Sequence, residues 1–78
     1  MVRQFLRAFS RSEPGDLLVY HIGSLWFDRS NYNKKSDYKE IDALAKAVWK
    51  LYEDGKATLV QRIVPDAPYT HAYIAIVR

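Results

Sequence analysis

One long amphipathic stripe dominates this chain. Between residues 37 and 54, Ile41, Leu44, Val48 and Leu51 recur at helical spacing, widened by Ala45, Trp49 and Tyr52. Asp37 followed by Glu40 has the spacing of a capping box, with a carboxylate for the usual hydroxyl. Gly55 supplies a C-terminal stop. No other segment sustains the helical period as far, so the rest of the chain must cover this one stripe. The chain has 78 residues and no cysteine. That length is one domain, burying only about 60% of its unfolded surface. It has no disulfide staple, and the commonest structural zinc sites are excluded. The 49% hydrophobic and 14% aromatic content argues against disorder. The expectation is an α+β fold in which a small antiparallel sheet packs on one long helix.

The covering elements follow from local chemistry. Residues 1–12 hold an N-terminal helix, with Val2, Phe5, Leu6 and Phe9 on one side and Arg3, Arg7 and Arg11 on the other. Glu13-Pro14-Gly15-Asp16 is turn chemistry. Residues 17–22 read as a strand closed by Gly23. Residues 24–36 read as a short turn and a polar loop, with Ser24 capping one helical turn through Leu25, Trp26 and Phe27. That loop is long for a small domain. Residues 57–64 and 69–78 form a hairpin across Pro65-Asp66-Ala67-Pro68. If Val64 faces Tyr69, Leu59 faces Ile74 and Gln61 faces Ala72. Thr58, Val60, Arg62, Tyr69, His71 and Tyr73 then share the open face. A one-residue slip would mix the two sets. Trp26, Phe27 and Trp49 are expected in the core. The order of elements is α-β-(short α)-α-β-β, all in one domain.

Several function classes fall away. Apolar runs reach only four or five residues, far short of the ~20 that span a bilayer. No apolar h-region follows the N-terminal arginines, so a cytoplasmic protein without a membrane partner is expected. Neither a P-loop, nor G-x-G-x-x-G, nor a G-x-S-x-G elbow is present. His21 and His71 sit in the expected strands without a third ligand at a recognised spacing, so they read as structural. An enzyme is not expected, nor a metal or other cofactor.

The element order resembles that of winged-helix domains. Leu51-Tyr52-Glu53-Asp54-Gly55-Lys56-Ala57-Thr58-Leu59-Val60-Gln61-Arg62 resembles them too, with a helix closing on an acidic-Gly turn and running into the first wing strand. The stretch Gly15-Asp16-Leu17-Leu18-Val19-Tyr20-His21-Ile22-Gly23, with Val60-Gln61-Arg62, is similar to small bacterial and prophage proteins. The resemblance implies a small non-enzymatic DNA-binding protein of phage or mobile-element regulator type.

In that reading the helix over 37–54 faces DNA. Lys39, Lys46 and Lys50 lie within about 40° of one another on its polar side. Without Arg, Asn or Gln beside them, their contacts to double-stranded DNA would be mainly to phosphate. Arg29, Lys34 and Lys35 extend the charge into the preceding loop, and Arg62 is the nearest cation on the wing. A homodimer would enlarge the small contact area. The plain alternative is that the lysines are a solvated face. The other functional reading is a protein-interaction module, a phage-encoded inhibitor or adaptor of a host or phage protein. It would use Val60, Tyr69, His71 and Tyr73, because Tyr is a favoured interface anchor.

Overall fold

The computed structural model describes residues 1–30, 37–67 and 70–78. Three helices and three strands follow one another along these residues: α1 (Val2–Ser10), β1 (Leu17–Gly23), α2 (Leu25–Asp28), α3 (Tyr38–Glu53), β2 (Ala57–Ile63) and β3 (His71–Val77). The strands form one antiparallel sheet in the order β1-β3-β2, so the C-terminal strand is central.

The long stripe does what its spacing dictates. Ile41, Leu44, Ala45 and Val48 of α3 are all buried. Leu44 and Val48 meet Ala57 and Ala75 of the sheet, and Val2, Phe5 and Phe9 of α1 close over them with Tyr20, Leu51 and Leu59. Alanine at 57 and 75 lets the helix approach the strands closely. α3 then ends in a complete Schellman arrangement. The Lys56 amide donates to the Leu51 carbonyl at 2.8 Å and the Gly55 amide to that of Tyr52 at 3.0 Å. Gly55 has φ +75°, the left-handed value this closure requires.

At the start of α3 the capping-box expectation fails. Asp37 occupies the N-cap position, but its side chain makes no capping bond. Its Oδ1 is buried without a hydrogen-bond partner among the described residues.

The hairpin register is one residue removed from the expected pairing. Ala57 faces Val77, Leu59 faces Ala75 and Gln61 faces Tyr73. His71 and Tyr73 therefore point to the helical side, not to the open face. The loop explains the shift. The Val64 amide donates to the Thr70 carbonyl, and a turn within the loop closes from Ala67 back to Val64. Asp66 sits at φ +61° within that turn, behind Pro65.

A bulge in β1 between Val19 and His21 places Tyr20 and His21 in succession on the helical side. The aromatic residues expected in the core are instead largely outside it. Trp26 is 73% exposed and Trp49 54%, and Phe27 is also exposed. The reason is the size of α2, whose four residues are too few to cover the flank of α3.

Candidate nucleic-acid interface

α1 and α3 pack on the same side of the sheet, so their outward faces define one layer. On α1 the apolar residues Val2, Phe5 and Phe9 turn toward the core. Arg3, Arg7 and Arg11, offset by about half a turn, turn away from it. All three arginines are exposed, and no ion pair engages them among the described residues. On α3, Lys39, Lys46 and Lys50 are exposed on the side opposite the buried stripe. The two basic strips therefore share the helical side of the molecule.

The lysine strip is partly neutralised by its own helix. Lys46 Nζ lies 3.0 Å from Asp42 Oδ2, and Lys50 Nζ lies 3.5 Å from Asp54 Oδ1, both at i,i+4 spacing. Arg29 Nε donates to Asp42 Oδ1 at 2.7 Å, tying the end of α2 to α3. Asp42 is thus held between two cations. Hydrogen bonds from Lys46, and then from Arg29, keep its carboxyl below the usual carboxylate range. Each exposed i,i+4 pair contributes only about 0.2–0.5 kcal/mol, so an incoming phosphate could displace it. Among the described residues no ion pair engages Lys39, which stands 6.0 Å from the Tyr38 ring centroid.

The other candidates are dispersed. Arg62 and Val60 lie on β2, facing away from the helices. Lys34, Lys35 and Tyr69 lie outside the described residues. Tyr73 is built into the fold, its hydroxyl accepting from the Leu25 amide at 3.2 Å at the start of α2. His21 Nε2 meets Asp28 Oδ2 at 2.7 Å, and that oxygen also accepts from the Ser24 amide. These contacts fasten the single turn of α2 to β1. Burial pushes the Tyr20 hydroxyl pKa up, with the neighbouring Tyr73 adding to the effect and Arg29 opposing it. His21 and His71 flank Tyr73 on either side. Among the described residues, no group of three His, Cys, Asp or Glu side chains could hold a metal ion.

One feature is not legible in the sequence. Because α2 is short, an open groove of about 490 Å³ runs between α2, α3 and the sheet. Tyr20, Leu59 and Trp49 line it together with Arg29, Lys46, Lys50 and Glu53. It continues over Tyr73 and Gln61. The signal was present in the exposed Trp49, but a tryptophan on an apolar stripe reads as core.

No protein-family model, curated protein or solved structure matches this chain. No helix among the described residues is long and apolar enough to cross a membrane.

Proposed function

We propose that this chain is a small, non-enzymatic, winged-helix-like module that binds duplex DNA mainly through its phosphates. The observation that carries the reading is the shared outward direction of the lysine strip on α3 and the arginine strip on α1. The scaffold assignment is supported by the element order together with the β1-β3-β2 sheet. In a winged helix, α3 would be the helix offered to the major groove. Lys39 has no ion pair there among the described residues. Lys46 and Lys50 would exchange carboxylates for phosphates on binding. Such contacts position the protein without reading sequence, so affinity should fall steeply with salt. A phage or mobile-element regulator would suit that chemistry.

The test is fluorescence anisotropy on a random-sequence duplex between about 50 and 200 mM salt. Binding with a negative log–log salt slope is expected. Reversing Lys39, Lys46 and Lys50 to Glu should abolish it. No binding at the low-salt end, or an unchanged triple variant, would sink the reading.

The groove favours a second reading, a protein-interaction module. An exposed tryptophan beside Tyr20 and Leu59, edged by three cations and one carboxylate, Glu53, suits a segment bearing an apolar anchor and a net acidic charge. Trp49→Ala should then abolish capture of a partner while leaving DNA affinity unchanged. Capture that survives the substitution would remove this reading.

A further inference from the structure

The register that moved Tyr73 inward leaves the other side of the sheet almost wholly apolar. Three cross-strand rows lie on it: Leu17-Ile76-Thr58, Val19-Ile74-Val60 and Ile22-Ala72-Arg62. Seven of these nine side chains are apolar, one is a cation and none is a carboxylate. No described helix packs on this side, since the core cluster joins α1 and α3 to the opposite one. Leu17, Val19 and Ile22 of the edge strand are 53%, 53% and 62% exposed, whereas Ile74 of the central strand is 6% exposed. A water-facing sheet ordinarily alternates apolar-in with polar-out. This sheet carries large apolar side chains on both faces.

We propose that this face is the interface of a homodimer, two copies packing sheet against sheet. The occupant follows from the grid itself. A two-fold axis between the sheets, perpendicular to the strands, reverses each strand and keeps its place across the sheet. Row one then meets row three. Leu17 meets Ile22 of the second copy, Ile76 meets Ala72, and Thr58 meets Arg62. The middle row meets itself through Val19, Ile74 and Val60. Ile76 opposes the smaller Ala72, and the cation of this face meets a hydroxyl instead of its own copy. The alternative axis, parallel to the strands, would set Arg62 against Ile22, so the first is favoured.

Charge disfavours two other occupants. One cation is too little for a nucleic acid, and the absence of carboxylates offers a basic partner nothing. The size also fits a second copy. Strands of seven residues at about 3.3 Å, three abreast at about 4.8 Å, give a plan area of roughly 300 Å². Corrugation by branched side chains raises this toward the ~600 Å² per partner at the lower end of specific interfaces. The dimer is therefore weak, with dissociation in the micromolar range, and its sheets pack about 10 Å apart. The helical layers of the two copies then point outward in opposite directions.

Sedimentation equilibrium of the full chain without DNA tests this, and its outcome is independent of the DNA reading. Twice the chain mass is expected at tens of micromolar. Val19→Lys and Ile22→Glu, both at exposed positions, should each give the monomer mass with an unchanged circular dichroism spectrum. The double variant Leu17→Lys/Ile22→Glu should recover association relative to Ile22→Glu alone, because the favoured axis brings 17 and 22 together. A wild-type monomer at about 100 μM, or a dimer indifferent to both single substitutions, would overturn the proposal. So would a monomer that co-sediments with phosphatidylcholine vesicles, or one that associates only with a different polypeptide.

Discussion

Both faces of the sheet carry apolar side chains, and these meet different fates. On the helical side, Ala57, Leu59 and Ala75 lie under α1 and α3, and the outer surface of that layer is charged. On the bare side, Leu17, Val19 and Ile22 stand half or more exposed with no described helix above them, and only Ile74 of the central strand is buried there. The contrast shows that hydrophobicity along a strand specifies burial only if the chain has enough helix to cover it. With α2 reduced to four residues, this chain has one helical layer for two apolar faces. One face makes the monomer, and the other is available to a partner.

The largest expected effect separates the faces directly. Leu44 is 5% exposed and sits at the centre of the helical side. Leu44→Ala should destabilise the fold by about 2–5 kcal/mol, through lost transfer energy and a residual cavity. Leu17→Ala removes the same atoms from a half-exposed site on the bare face. Measured by urea unfolding of the dilute monomer, it should cost less than about 1 kcal/mol. Equal losses would mean that the bare face is covered within one chain.

Next in size is the joint between β1 and α2. Gly23 has φ +143°, and a Cβ there would fall 2.5 Å from Asp28 Oδ2 and 3.2 Å from His21 Nε2. Gly23→Ala should therefore cost about 1–3 kcal/mol in unfolding free energy, combining strain with a broken His21–Asp28 contact. Gly23→Ala/Asp28→Ala should recover part of that loss by removing the clash. A double variant as unstable as the sum of the two singles would place the cost in the backbone alone.

How much of this was legible depends on how local each signal is. The bounds of α3 agree with expectation to within a residue, because the stripe and Gly55 are read within one helix. The Glu13–Asp16 turn was equally local. The Asp16 amide donates to the Glu13 carbonyl, with Pro14 and Gly15 between them. The hairpin register was not legible, because β3 is apolar in both phases: Ala72, Ile74 and Ile76 alternate with Tyr73, Ala75 and Val77. Either phase satisfies a hydrophobic face, and only the loop geometry decides. The bulge at Tyr20 left no mark in the composition. The lysine strip was visible, but its pairing with Asp42 and Asp54 needed the helix to be built first. The groove is a consequence of what α2 leaves uncovered, which no residue announces.

A smaller effect concerns the charges on the helical side. Asp42 has a lowered pKa, so its contribution is present above the ordinary carboxylate value and is lost as pH falls through the lowered one. At neutral pH, Asp42→Asn should reduce stability by about 0.2–1 kcal/mol, since Lys46 is 72% exposed and Arg29 and Asp42 are each about a third exposed. In urea titrations the difference from wild type should vanish well below pH ~4, where both side chains are uncharged. The same substitution releases Arg29 and Lys46. If the helical side binds DNA, duplex affinity should rise severalfold while stability falls. A parallel loss of both would mean that Asp42 orients the cations for binding.

The smallest expected effect is the sharpest test of the contrast. Arg62 is a cation of the chain that belongs to the bare face, paired across from Ala72 and directed away from both helices. Each phosphate contact removed from a DNA-binding surface lowers the salt slope by about 0.9. Lys39→Ala should show that decrement, since Lys39 lies on the helical side with no ion pair among the described residues. Arg62→Ala should leave the slope and the affinity unchanged, although it removes the same charge from the same small chain. Net charge alone predicts equal losses for the two variants, and orientation predicts a loss for only one. Equal losses would return the protein to being merely basic, whereas a loss confined to Lys39 would make the helical side a surface with a direction.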